Sequence, residues 1–178
     1  MSLQFNVSQL LKSEVGQRRT YDFALDQPMD LDDAVASGVE GTVKFTLTNF
    51  GILAAVRAHA TVHLTCARCL EPFTAPMDVA FQEEFRPLID VATGLPSAMP
   101  ESDLAFQISP NHMLDLAEPI RQQLLLAIEI IPICSDACRG LCPTCGANLN
   151  TDPCDCEPPL ANNAFSALSG LLVDADGR

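Results

Sequence analysis

The chain has 178 residues, 48% of them hydrophobic, with ten Lys plus Arg against 23 Asp plus Glu for a formal charge of −13. That is enough to bury one core of ordinary size, and too little for two large independent domains. The excess of acid disfavours a protein that neutralises several phosphates, which needs clustered basic residues, and favours a partner with a basic surface. Here the only adjacent basic pair is Arg18-Arg19.

Taken in order, Leu3, Phe5 and Val7 predict a short strand, Ser8 to Lys12 a brief helical turn, and Thr20 to Leu25 an extended stretch. Residues 26–38, with Pro28 and four Asp, read as a connecting loop or short helix. Val43, Phe45 and Leu47 then alternate with polar neighbours, and Asn49-Phe50-Gly51 supplies a turn. Two further period-two runs follow, Ala54 to Leu64 and Phe73 to Phe85. The three runs predict an antiparallel β-meander with one face on a core and residues such as Arg57 and His59 on the other. Residues 87–103, with Pro87, Gly94, Pro96 and Pro100, read as a long loop, and Phe106 and Ile108 as a short edge strand.

Asp115 with Glu118 three residues on is a capping pattern, and Leu116, Ile120, Leu124, Ala127, Ile128 and Ile131 recur at helical spacing. One main helix from about Asp115 to Ile130, packed across the sheet, is expected. A cysteine-rich segment follows Pro132, then Pro158-Pro159 and a short amphipathic stretch with Phe165, Leu168, Leu171 and Leu172. The expected fold class is therefore α+β, a meander against one helix over residues 1–132, with a cysteine-rich tail over 133–178.

No run of apolar residues is long enough for a membrane span. The start, Met1-Ser2-Leu3-Gln4-Phe5-Asn6, lacks a basic and apolar export signal, so a cytoplasmic, reducing location is expected. That leaves thiols free for metal. Eight cysteines fall in two groups, Cys66-Ala-Arg-Cys69 and the run Cys134, Cys138, Cys142, Cys145, Cys154 and Cys156. Cys142-Pro-Thr-Cys145-Gly146 has the form of a zinc-ribbon knuckle. Eight thiols suit two tetrahedral sites, the preferred grouping being Cys66, Cys69, Cys134 and Cys138 in one and Cys142, Cys145, Cys154 and Cys156 in the other. The one-residue spacing of Cys154 and Cys156 also allows a single complete site with one cysteine spare. Taken alone, Cys66 and Cys69 are as readable as a redox pair. His63 is a substitute ligand by position, though an ordinary strand histidine by type.

Four thiolates leave no coordination place for water, so such zinc is structural and not hydrolytic. The chain holds no glycine-rich phosphate loop, no Gly-x-Ser-x-Gly elbow and no His-Glu-x-x-His, and only three histidines. A non-enzymatic role is expected.

Cys66-Ala67-Arg68-Cys69-Leu70-Glu71-Pro72-Phe73, the Asp115-Leu116 helix start, Ile131-Pro132, and Cys138-Arg139-Gly140-Leu141-Cys142-Pro143-Thr144-Cys145-Gly146-Ala147-Asn148-Leu149-Asn150 with Cys154-Asp155-Cys156 together resemble the YceD family, as does the closing Phe165-Ser166-Ala167-Leu168. The likeness runs over roughly the last two thirds of the chain. It implies a cytoplasmic part in large-subunit ribosome biogenesis, needed for accumulation of the large ribosomal RNA, with no attached catalysis. The family usually carries Glu where Gln123 stands and Pro where Glu129 stands. Acidity adds the expectation of contact with a basic ribosomal protein or a large-subunit precursor, direct RNA binding remaining open. Arg68, at an exposed tip, is placed to meet a phosphate or an acidic group. The reading from another class is a thiol-based redox or zinc-responsive sensor in which Cys66 and Cys69 oxidise.

Overall fold

The computed structural model describes residues 3–91, 93–97 and 105–156. Its centre is a twisted sheet built on three long strands, β4 (Val35–Leu47), β5 (Ile52–Thr65) and β6 (Pro72–Pro87). These are the three alternating runs of the sequence, paired antiparallel in register from Leu47 with Ile52 and from Thr65 with Pro72. Strand β2 (Arg18–Ala24) lies antiparallel on the outer side of β4, and the two-residue β3 (Met29–Asp30) pairs with the start of β4. At the other side β7 (Phe106–Ile108) runs parallel to the end of β6. The meander is thus extended into a mixed sheet, ordered β2-β4-β5-β6-β7.

Strict alternation explains which face is covered. Along β5 the residues Ile52, Ala54, Val56, Ala58, Ala60, Val62 and Leu64 are buried, while Arg57, His59 and His63 face out. The inner face is closed by β1 (Gln4–Asn6), the one-turn α1 (Ser8–Leu11), β8 (Met113–Asp115) and α2 (Ala117–Ala127). Strands β1 and β8 form their own antiparallel pair. Leu10, Leu114, Leu116, Ile120 and Leu124 meet Phe45, Ile52, Phe85 and Ile108 in one core. Phe5 packs edge-on to Phe45 at 5.4 Å between ring centroids. Burial of each such side chain contributes about 1.5–3 kcal/mol, which outweighs the modest helix propensity of an eleven-residue segment.

Three sequence expectations are corrected. Residues 26–38 are neither simple loop nor helix: β3 and the first part of β4, which starts at Val35, lie there, joined by a turn in which Leu31 N–H donates to Ala34 O at 2.9 Å, and a bulge between Ser37 and Glu40 interrupts the pairing of β4 with β5. Pairing with β5 supplied the ladder that short-range polarity concealed. Helix α2 is shorter than the expected Asp115 to Ile130. Asp115 completes β8 opposite Gln4, although its Oδ1 still accepts the Ala117 N–H at 2.8 Å. Glu118 does not close a capping box. Its carboxylate accepts from Arg121 Nε at 2.8 Å and Gln122 Nε2 at 2.9 Å instead. At the other end Ile128 is extended, its N–H bonded back to Leu124 and Leu125, and the chain leaves toward Pro132. The expected stretch with Pro158, Pro159, Phe165, Leu168, Leu171 and Leu172 lies outside the described residues, as do residue 92 and residues 98–103 of the expected loop 87–103.

Candidate metal centres

The hairpin joining β5 to β6 is residues 66–71, and it is a knuckle. Cys66 N–H donates to Glu71 O at 2.9 Å and Leu70 N–H to Cys66 O at 2.9 Å. This folds the loop so that both sulfurs face one side. The chain leaving α2 is bolted to the same loop by three bonds. Ala67 N–H donates to Pro132 O at 2.8 Å, Leu141 N–H to Arg68 O at 3.1 Å, and Arg68 Nη1 to Cys138 O at 3.2 Å. Cys134 and Cys138 are thereby held against the knuckle. Cys66, Cys69 and Cys138 are buried, and only Cys134 is exposed.

The segment 140–152 repeats the device. Cys142 N–H donates to Ala147 O at 2.8 Å and Gly146 N–H to Cys142 O at 2.9 Å. Gly146 has φ +76°, a backbone conformation glycine adopts without a Cβ penalty. An Asn148 turn, its carbonyl accepting from Thr151 and Asp152, carries the chain on to Cys154 and Cys156. Cys142 is buried, Cys154 half-buried, Cys145 and Cys156 exposed.

Two groups of four sulfurs result: Cys66, Cys69, Cys134 and Cys138, and Cys142, Cys145, Cys154 and Cys156, with the sulfurs of each group within 4.8 Å of one another. Cys66 and Cys138 Sγ are 3.8 Å apart and Cys69 and Cys134 Sγ 3.9 Å. Disulfides are far shorter. A tetrahedron with zinc–sulfur bonds of about 2.3 Å has edges of about 3.8 Å, so the first set already has the dimensions of a zinc-thiolate site. Both clusters are positioned to chelate a metal ion. His63 joins neither; its Nε2 lies 2.9 Å from Ser37 Oγ.

Electrostatics point the same way. Burial pushes the Cys66 thiol up, but the N–H groups of Cys134, Cys69 and Arg68 outweigh it and bring the group to about 6. The Asn150 amide leads the causes that lower Cys138. Cys134 goes the other way, to about 12, through its thiol hydrogen bond with Cys138 and then burial. In the second set the N–H groups of Cys145 and Thr144 lower Cys142 to about 6, while the Cys145 sulfur and burial raise Cys156 to about 12. In each cluster the local N–H groups favour one thiolate while a neighbouring sulfur and burial favour the protonated form of another, and a divalent ion held there would displace that proton.

Sequence reasoning missed the residues that support these sulfurs. Asn150 Nδ2 donates to Cys138 Sγ at 3.5 Å, and its Oδ1 accepts the Arg139 N–H at 2.8 Å. Asn148 Nδ2 reaches Glu71 Oε1 at 3.4 Å. Their signal was present in the Asn148-Leu149-Asn150 triplet. Arg68, expected at an exposed tip, is exposed and also braces the Cys138 carbonyl.

A mixed α+β body whose hairpin tip shares one cysteine cluster with the trailing segment, which carries a second, has the form of a protein with structural metal sites. The large ribosomal RNA subunit accumulation protein YceD family model matches residues 54–172, and the chain belongs to that family. It is 40% identical over 58 residues to the Arabidopsis thaliana chloroplastic large ribosomal RNA subunit accumulation protein YCED homolog 1, covering 33% of this chain and 18% of that one. The Zea mays counterpart is 46% identical over 60 residues, 33% of this chain and 20% of its own. An uncharacterized Mycobacterium tuberculosis protein is 33% identical over 132 residues, 73% of this chain and 56% of that one. The matches therefore span less than two thirds of each relative. No solved structure gives a significant match.

Proposed function

We propose that the protein is a non-enzymatic factor of large-subunit ribosome assembly, needed for accumulation of the large ribosomal RNA. Two structural zinc ions hold its binding surface in shape. The plant relatives are named for large ribosomal RNA subunit accumulation, and the family model bears the same description. The observation that carries the structural half is the first sulfur set, whose 3.8 Å and 3.9 Å separations match a zinc-thiolate tetrahedron and which ties residues 66–69 to residues 134–138. Cys66, Cys69, Cys134 and Cys138 hold one ion, and Cys142, Cys145, Cys154 and Cys156 the other. With four protein sulfurs on each ion no place remains for a reacting water, so the metal works as a staple.

The charge of −13 favours a basic ribosomal protein, or a precursor particle displaying one, as the contact. Cytoplasmic residence is part of the same proposal. The test is sedimentation of extracts from cells carrying the tagged full chain. Co-migration with large-subunit precursors, with a fall in large relative to small ribosomal RNA on depletion, is expected. Migration only as free protein, with an unchanged RNA ratio, refutes the proposal.

A thiol-sensor reading, expected to act through Cys66 and Cys69, meets those two sulfurs buried and draws support instead from exposed Cys134, Cys145 and Cys156. It requires zinc release by mild peroxide with disulfide formation, and retention of both ions under that treatment disposes of it.

A further inference from the structure

Among the described residues the outer edge of β6 is unpaired over most of its length. Its first part pairs with β5 on one side, while β7 covers only Phe85 to Pro87 on the other, so residues 72–83 have no outer strand partner among the described residues. Every second residue of such an edge turns its backbone N–H and C=O outward. Pro72 and Pro76 remove two amide donors, as suits an edge strand, but leave their carbonyls.

Beside this edge runs a groove of about 340 Å3 between β6 and the chain leaving α2, whose wall is apolar at Phe73, Met77, Pro132 and Ile133 and acidic at Asp78 and Glu129. Along the same chain Leu126 is 78% exposed, Ile130 100% and Ile131 65%. Three large apolar side chains in six residues form an exposed cluster of the kind that marks a contact surface. The two segments that meet here also share a charge sign. Residues 70–85 and 122–138 contain Glu71, Asp78, Glu83, Glu84, Glu129 and Asp136 and not one Lys or Arg. Asp78 is engaged by His59 and Glu84 by Arg86; the others have no ion pair among the described residues. Ile133 leads directly into Cys134, and a four-thiolate zinc site adds net negative charge at that end. Acidic side chains alone would be edge protection, but protection does not place Ile130 and Ile131 in water.

We infer that the open edge of β6, with the adjoining groove and the Leu126, Ile130 and Ile131 cluster, docks an extended basic segment of a partner protein that alternates Lys or Arg with apolar residues. Its backbone pairs with β6, its apolar side chains enter the groove, and its cations meet the surrounding carboxylates. This rests on the reading of the protein as a binding factor and names the place and chemistry of the contact.

The probe is a short synthetic peptide alternating lysine with valine, compared with a peptide of the same composition whose lysines are gathered at one end. With the zinc-loaded full chain, the alternating peptide is expected to bind and to slow hydrogen exchange of the amides in residues 73–83. Changing Ile130 and Ile131 together to Ser, exposed positions where folding is undisturbed, should weaken binding by about tenfold. The pair Glu83→Gln and Glu129→Gln should weaken it and flatten its salt dependence, whereas Glu14→Gln should not. Equal binding of the two peptides, or protection mapping to β2, overturns the inference. So does protection, already present in the free chain, of those 73–83 amides that β5 does not bond, whether at all concentrations, meaning that residues 157–178 occupy the edge, or only on self-association, meaning a second copy. Sedimentation of the same variants separates the two claims. Peptide failure with retained precursor co-migration sinks the docking surface alone, and the reverse sinks the assembly role alone.

Discussion

Leu70 and Gly146 hold the same place in two copies of one knuckle. Each follows the second cysteine, each has positive φ, +60° and +76°, and each donates its N–H to the first cysteine's carbonyl at 2.9 Å. One copy uses the residue suited to that conformation. The other does not, and Leu70 is 63% exposed, so packing offsets little of its strain.

Leu70→Gly is therefore expected to stabilise the zinc-loaded chain. Left-handed backbone costs a non-glycine residue about 1–2 kcal/mol, and the added unfolded-state freedom of glycine returns about 0.5–1 kcal/mol of that. The net gain is about 0.5–1 kcal/mol, read from denaturant midpoints at fixed zinc. Gly146→Ala should lose about 1 kcal/mol in the same measurement.

Zinc content separates the two sites. Two ions per chain are expected, falling to one in Cys66→Ser and to one in Cys142→Ser. Because zinc binding in small sites supplies about 10–16 kcal/mol of apparent folding free energy, Cys142→Ser should open residues 142–156 to protease. The sheet should melt nearly as before. Cys66→Ser should instead lower the main melting transition, since its cluster joins the β5–β6 hairpin to the chain after α2. Two ions retained in either variant would refute the assignment.

Asn150 sits between Cys145 and Cys154 in sequence but donates to Cys138 of the first cluster. Asn150→Ala is expected to weaken zinc at the first site by about 10–100-fold, the range seen when an outer partner of a ligand is removed. Competition with a chromogenic chelator measures it. An unchanged release profile would mean that the 3.5 Å contact is incidental.

Glu118 provides a pH signature. Hydrogen bonds from Arg121 and then Gln122 hold its carboxyl at about 2, below its ordinary 4.5. Its contribution is thus fully present above pH 4.5 and is lost as pH falls through about 2. Half of the Glu118 side chain is exposed, so water screens the pair and the effect is small. Glu118→Gln should lower the melting temperature slightly at pH 6, with the difference from the parent chain closing toward pH 2.

Alternation in Val43–Leu47, Ala54–Leu64 and Phe73–Phe85 determined three strands and their buried faces, because a pleated strand writes its environment every second residue. The i, i+3 spacing of Cys66 with Cys69 and Cys142 with Cys145 likewise determined two knuckles, since the geometry is complete within six residues. Tertiary structure decided the rest. The cysteine types and spacing already favoured grouping Cys66, Cys69, Cys134 and Cys138 but left a single complete site open; the meeting of Cys66 with Cys138 and of Cys69 with Cys134, across 72 and 65 positions, depends on α2 returning the chain to the hairpin tip. The start of β4 at Val35, the parallel return of β7, the shortened helix and the reach of Asn150 also arise from partners distant in sequence. Such contacts leave no local period, because what selects them is the summed burial and hydrogen bonding of the assembled core.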